Sequence, residues 1–449
     1  MSTRSSYQPV GSDHSDCSSV DTPSPISSST SMTMPVPIKS SHHKAFSGLR
    51  MTRMDDGCYH DDDEVVVHDA ELQGPSRSNS SIRSTSSSLS SKLSRSFSQL
   101  LSSSFKKNQR KRFDGEESLQ QKYGEYVKRK TMTLKKKEKV ATGATAVIRL
   151  VQQESRILAV KEFKKREKSE SAEEYEIRVR NECALSMSVS GHPNVVETIE
   201  RIKNERGRCC LVMEYCAGGD LFNLCQSEAM DCQDQECLFK QLLLGLQHLH
   251  HHNVAHRDIK PENLVLTKGG GTLKIADFGV ACSPADECHR WCGSEPFWSP
   301  EMWTLKSKDS VYDGRALDVW SAAITFFCLR NFLPFDCAYY NPIPQPPPKH
   351  ADPSSPAVIA SKELNGGCPL YGRYHEERRK LGASQCELFK DLPENMRDCL
   401  AGMLDPDPKT RWTVDQALAS EWLSGVETCT DGVLSNGWRH SHRVPICSK

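Results

Sequence analysis

Residues 251–264 read HHNVAHRDIKPENL and bring Asp258, Lys260 and Asn263 together within six positions. A carboxylate, an ammonium and an amide this close could cap a helix end, line a metal site, or manage charge during phosphoryl transfer. The last chemistry needs more parts. It requires a carboxylate to accept or orient a hydroxyl proton, cations to offset the moving phosphoryl charge, and hard oxygen ligands of the kind Mg²⁺ prefers. Such parts exist nearby: KIADFGVA supplies Asp277, nineteen residues after Asp258, and AVKEF and RNECALSMSVSGHPNVV supply Lys161 and Glu182.

The elements that must position these groups are visible as patterns. AVIRLV (146–151), ILAVKEF (157–163) and CCLVMEY (209–215) are short, apolar and partly β-branched, which predicts strands. ECLFKQLLLGLQHLHH (236–251) places Leu238, Phe239, Leu242, Leu243, Leu246 and Leu249 at helical spacing. That helix would deliver the chain to the charged stretch. RALDVWSAAITFFCLR (315–330) reads as a second, nearly all-buried helix, and Glu182 is expected on a helix of its own. Strands precede helices, so the expected class is α+β, a β-rich lobe leading into a helical one. Seven prolines among residues 341–356 predict a surface insertion over 341–357, free of regular elements.

The 449 residues divide into unlike parts. Residues 1–124 are expected to form a disordered tail, since sixteen of the thirty residues 75–104 are serine and aromatics are scarce. KKNQRKR (106–112) reads as a solvated charge run, with nuclear import or an acidic membrane surface as the alternatives. Basic and acidic residues balance at 58 each, so no global charge argues for nucleic acid. Nineteen cysteines, an odd number without a CxxC pair, suit reduced thiols better than a disulfide framework. The start of the chain lacks an apolar core, and its longest apolar run, WSAAITFFCL, is half a membrane span. A cytoplasmic protein is expected, with nuclear or membrane-peripheral fractions as alternatives. His248, His250, His251, His252 and His256 suggest zinc, but histidine also suits a helix C-terminus. Cys282, Cys288, His289 and Cys292 have metal-like spacing; reduced thiols, or one redox-sensitive cysteine, are the other readings.

HRDxKxxN, DFG and a lysine-bearing strand, followed by WCGSEPFWSPE, ALDVWS and DPDPKTRWT, resemble the signature set of eukaryotic protein kinases over about 125–424. Residues 425–449 would be a C-terminal extension. The resemblance implies a bilobal fold, ATP, and Mg²⁺ or Mn²⁺. It implies that Lys161 holds the α- and β-phosphates, oriented by Glu182, and that Asp277 and Asn263 hold the metal. Asp258 would take or orient the acceptor proton, and Lys260 would neutralise the transferring phosphate. Met213 would back the adenine pocket, with the backbone from Glu214 to Cys216 as hinge. Ile148, Ala159 and Val265 would sandwich the ring, while Asp220 would meet the ribose or a basic substrate residue. Glu301 would pair with Arg411, and Asp318 would brace the loop at Asp258.

Two departures from that pattern stand out. ATGATAVI (141–148) stands where GxGxxGxV is expected, so Gly143 is kept while Ala141 and Ala146 replace two glycines. Arg290 occupies the position, four before Ser294, where many kinases carry an activating phosphothreonine, and Ser283 is the only hydroxyl between Asp277 and Ser294. Arg257 would then lack its phosphate partner, with Asp286 or Glu287 substituting in part. Lys260 and CGSEPFWSPE resemble Ser/Thr kinases. GATAVIRL, AVKEFKKR and CGSEPFWSPEMW, behind a Ser-rich tail, resemble the fungal halotolerance and nitrogen-permease-reactivator kinases, which implies regulation of plasma-membrane transport. Glu262 and Asp220 imply protein substrates with arginine upstream of the phosphoacceptor. The alternative is a catalytically weak scaffold that recruits partners through its tail and QPPPKH.

Overall fold

Short apolar strands build the first part of the fold. In the computed structural model, β1 (Lys139–Thr142), β2 (Ala146–Gln153), β3 (Arg156–Phe163), β4 (Thr198–Lys203) and β5 (Cys209–Glu214) form one antiparallel sheet ordered β1-β2-β3-β5-β4. The structure describes residues 117–127, 139–226, 230–343, 346–364, 366–437, 439–440 and 442. From Leu158 to Phe163, β3 is buried on both faces. Leu158 and Val160 join Val151, Cys210 and Val212 on one face, beneath Leu119 and Tyr123 of α1 (Leu119–Tyr123). Phe163 joins Ala146, Leu211, Val179 and Cys183 on the other, the last two from α2 (Ala172–Ser188). The expected tail boundary at 124 is therefore corrected: α1 is folded, capped by Ser118 and buried against the sheet.

The helical part forms around two long helices. α3 (Leu221–Gln226) leads to α4 (Cys232–His251), whose N-cap Asp231 accepts a 2.7 Å hydrogen bond from the Asp234 N–H. The predicted apolar stripe of α4 is buried. α5 (Gly314–Leu329) is buried along nearly its whole surface, as a helix apolar on all sides must be. Phe239 of α4, Phe326 of α5 and Trp422 meet as an aromatic triad with centroids 4.8–5.6 Å apart. Short strands β6 (Leu264–Leu266) and β7 (Leu273–Ile275) pair beside them. The proline-rich segment carries no helix or strand among its described residues up to Ser355. Pro356 and Ala357, expected within it, instead open α6 (Pro356–Lys362), where proline's missing N–H is no loss. α7 (Pro369–Leu381), α8 (Glu394–Met403), α9 (Val414–Leu418) and α10 (Glu421–Gly425) complete the order. No helix among the described residues is long and apolar enough to cross a membrane.

Arg411 ties this part together. Its side chain is fully buried and binds Glu301 in a fork, with distances of 2.7 and 2.8 Å, and it also reaches the Ala316 and Asp405 carbonyls. Removing the guanidinium strands a largely buried carboxylate, a loss of about 3–5 kcal/mol. Urea denaturation of Arg411→Met should register that destabilisation. The double change Arg411→Met/Glu301→Leu should recover part of it, since neither partner is then left charged alone.

Candidate active site

Directly opposite residues of an antiparallel pair share a face. Ile148 pairs with Lys161 and Ala159 with Met213, and Ala159 and Lys161 are two apart on β3. All four therefore line one side of the sheet. The Leu266 N–H donates to the Gly219 carbonyl at 2.8 Å, and Asp220 pairs with Val265, setting the segment after Glu214 and Cys216 against β6. Ile148, Ala159 and Met213 thus share a face of the sheet with Lys161, and Val265 stands on β6 beside Asp220.

Lys161 meets Glu182 of α2 in an ion pair and Asp277 at 2.8 Å. Burial opposes the ammonium, yet the Asp277 and then the Glu182 carboxylate hold its pKa above the ordinary lysine value. Lys161 in turn lowers Asp277 to about 2. Asp277 also accepts from the Gly279 N–H at 3.1 Å, and its side chain is 52% exposed, so the carboxylate faces outward. Phe278 turns inward against the His256 ring, with centroids 5.3 Å apart.

The loop after α4 is shaped from beneath. Asp318 of α5, fully buried, accepts from the His256 and Arg257 backbone N–H groups at 2.8 and 2.7 Å and contacts His250 at 3.1 Å. Above it a closed ring forms. The Asn263 amide donates to the Asp258 carboxylate at 2.8 Å, Lys260 approaches the same carboxylate at 2.9 Å, and Lys260 reaches Ser294 at 2.7 Å. Ser294 donates back to Asp258 at 3.1 Å. Gly293 makes this closure feasible: its φ is +85°, and a Cβ there would lie 2.4 Å from the Arg257 carbonyl.

The oxygen donors of Asp277 and Asn263 are the hard ligands a small divalent cation needs, so the donor set fits Mg²⁺ or Mn²⁺. The loop over 141–148 fits as well. Neither Ala141, Gly143 nor Ala146 has positive φ, so alanine meets no left-handed backbone there. The Ala146 methyl is buried in the α2-side cluster of the sheet.

Arg257 corrects one expectation. Neither Asp286 nor Glu287 reaches it: Asp286 lies 3.8 Å from Arg315 instead. The Arg257 guanidinium donates to the Val280 and His289 carbonyls at 2.7 and 2.8 Å and to the Tyr312 hydroxyl at 2.9 Å. Tyr312 also donates to the Arg290 carbonyl at 3.1 Å. Sequence reasoning missed Tyr312, whose neighbours SVYDG carry no motif. The histidines of 248–256 form no metal-like group among the described residues, although the His248 and His252 rings lie 4.2 Å apart. Four bind backbone carbonyls or Asp318, and His251 binds Asp415. Cys282, Cys288, His289 and Cys292 form no metal-like group either; the Cys288 thiol donates to the Ala285 carbonyl at 3.3 Å and the Cys282 thiol to the Pro284 carbonyl at 3.6 Å. Asp220 accepts from the Asn223 N–H at 2.8 Å, capping α3.

With this geometry the comparisons agree. Residues 134–423 match the family described as protein kinase domain. The chain is 33% identical over 316 residues to the serine/threonine-protein kinase hal4 of Schizosaccharomyces pombe, covering 66% of this chain and 44% of that protein. It is 32% identical over 319 residues to HAL4/SAT4 of Saccharomyces cerevisiae, covering 66% and 46%. It is 29% identical over 324 residues to the nitrogen permease reactivator protein of the same yeast, covering 65% and 39%. The chain thus spans less than half the length of these relatives.

The Tyr312 hydroxyl is the loop's clamp. Tyr312→Phe removes the hydroxyl's bonds to Arg257, the Arg290 carbonyl and the Cys292 thiol, so the guanidinium loses an acceptor and the carbonyl a donor, a loss of about 1–3 kcal/mol of local stability. Limited proteolysis should then cut faster between residues 282 and 294, and equal cutting rates would remove Tyr312 from that role.

Proposed function

This chain belongs to the protein kinase domain family, and from that premise we propose that it is an active serine/threonine protein kinase that prefers arginine upstream of its acceptor. The observation that carries activity is the complete set of charged groups, each held by partners. Lys161 is oriented for phosphate oxygens by Glu182 and Asp277. Asp258 is fixed by Asn263, Lys260 and Ser294 beside the place where an acceptor hydroxyl would enter. It takes or orients that hydroxyl's proton, and Lys260 offsets charge on the moving phosphoryl. A divalent cation held by Asp277 and Asn263 supplies further neutralisation of the nucleotide's phosphates.

Substrate preference rests on Glu262. One of its carboxylate oxygens is buried without a hydrogen-bond partner. Burial, with the nearby Asp258 and Asp220 carboxylates adding to it, raises its pKa above the ordinary 4.5. An arginine would satisfy that oxygen with a charge-assisted bond. The tail offers matching sites, RSNS at Ser80, RSTS at Ser86 and LSRSFS at Ser98. These serines and the basic run 106–112 lie outside the described residues. We assign the tail to autophosphorylation that weakens the hold of 106–112 on acidic membrane. A relative's name, nitrogen permease reactivator, supports action on proteins that control transport. Sixteen free cysteines among the described residues suit a reducing, cytoplasmic setting.

Three outcomes test this reading. Asp258→Asn should lower kcat by about 10²-fold or more while thermal stability holds; unchanged turnover would refute the kinase reading. Phosphatase-treated enzyme and Ser283→Ala should keep most activity, because Arg257 is already held by carbonyls and Tyr312. On a degenerate peptide array, arginine three residues before the acceptor should be preferred and Glu262→Ala should abolish that preference. Because protonation neutralises Glu262 at higher pH than an ordinary glutamate, the preference should fade on mild acidification. An array without arginine selection, or one indifferent to Glu262→Ala, would leave substrate choice to other residues.

A further inference from the structure

Away from the catalytic cleft, two cysteines and two histidines point at one another. Cys237 comes from the second turn of α4. Cys429, His440 and His442 come from the segment after α10, folded back by the Thr430–Val433 and Val433–Arg439 bridges. One donor atom from each lies within 4.8 Å of the others, and three of the four residues are buried. The two sulfurs stand 3.6 Å apart, and both cysteines are free. Nδ1 of His440 and Nε2 of His442 are buried without a hydrogen-bond partner.

We propose that Cys237, Cys429, His440 and His442 form a tetrahedral Zn²⁺ site that fastens the C-terminal segment to α4. Two sulfurs and two imidazoles are a ligand set that selects zinc. A regular zinc tetrahedron with these ligands has edges of about 3.3–3.8 Å, from metal–ligand distances of about 2.0–2.1 Å to nitrogen and 2.3 Å to sulfur. The sulfur–sulfur separation already matches.

The surroundings are those of a bound metal. Nδ1 of His442 is 2.8 Å from the Gly270 carbonyl. As the donor there, it leaves Nε2 free to bind metal, the outer contact that metal-ligating histidines nearly always make. The Cys429 backbone N–H points to the Cys237 sulfur at 3.4 Å, and the Gln241 amide lies 3.3 Å from Cys237 and 3.6 Å from Cys429. Such N–H donors stabilise thiolate. In the metal-free geometry the Cys429 thiol donates to the Gly271 carbonyl at 3.1 Å, and Asp234 lies 3.4 Å from Nε2 of His442. Zinc binding releases the remaining thiol protons to solvent and replaces the histidine's contact with Asp234.

The site is a fastener and not a second active centre. All four ligands are protein groups, so no position stays open for a substrate. It is also tied to the catalytic cleft. Gln241, beside both sulfurs, accepts from the Leu273 N–H at 2.8 Å, and β7 runs from Leu273 directly toward Asp277. Gly271 in the β6–β7 turn fits tightly beneath the segment: a Cβ there would lie 2.2 Å from Asp431.

The full chain, purified under reducing conditions without chelator, should contain about one zinc per chain by elemental mass spectrometry. Cys429→Ser and the milder His440→Gln should each lower that content severalfold, while Cys232→Ser, exposed on the same helix, should leave it unchanged. Cobalt added to the apoprotein should give the intense visible bands of a tetrahedral sulfur-ligated ion. Chelator should speed proteolysis within residues 426–442. Folded protein with less than about 0.1 zinc per chain and no tetrahedral cobalt spectrum overturns the proposal. So does a Cys237–Cys429 disulfide found by peptide mapping in native protein purified under those conditions.

Discussion

Lys161 carries a positive charge into a place where burial works against it, and three elements converge to keep it there. β3 supplies the ammonium, α2 supplies Glu182, and the turn after β7 supplies Asp277. If any one of them shifts, a charge is left without its partner in a poorly hydrated site, which is costly. The cluster therefore reports on the alignment of the whole cleft. That alignment depends on the sheet being covered on both faces, since α1 holds the far side and α2 the near one.

The loop around Asp258 is fixed by a different logic. Asp318 sits fully buried and directs its carboxylate at two backbone N–H groups, so it sets the loop's path without touching reactants. The ring of Asp258, Asn263, Lys260 and Ser294 rests on that path. Charge here organises backbone first and chemistry second. Arg411 and Glu301 play the corresponding part deeper in the helical region.

Much of this was legible in one dimension because the relevant physics is local. The strands at 146–163 follow from short apolar, β-branched runs, α4 follows from its leucine stripe, and the acidic and basic residues around Asp258 fall in contiguous stretches with fixed spacing. The pairings Glu301–Arg411 and Lys161–Glu182 were expected and are present. What escaped was non-local. Tyr312 binds Arg257 across 55 positions, and Cys237 meets Cys429 across 192. No periodicity links such residues, so only the fold brings them together. α1 escaped for the opposite reason: five helical residues are too few to show a pattern, and their burial comes from the sheet beneath.

The clamp on Arg257 has a consequence for how the loop over 282–294 is kept in place. Backbone carbonyls and a tyrosine hydroxyl are permanent acceptors, made once with the chain and beyond the reach of any phosphatase. The order of this loop is thus set when the chain folds, by groups the sequence already carries, and not by a charge added afterwards.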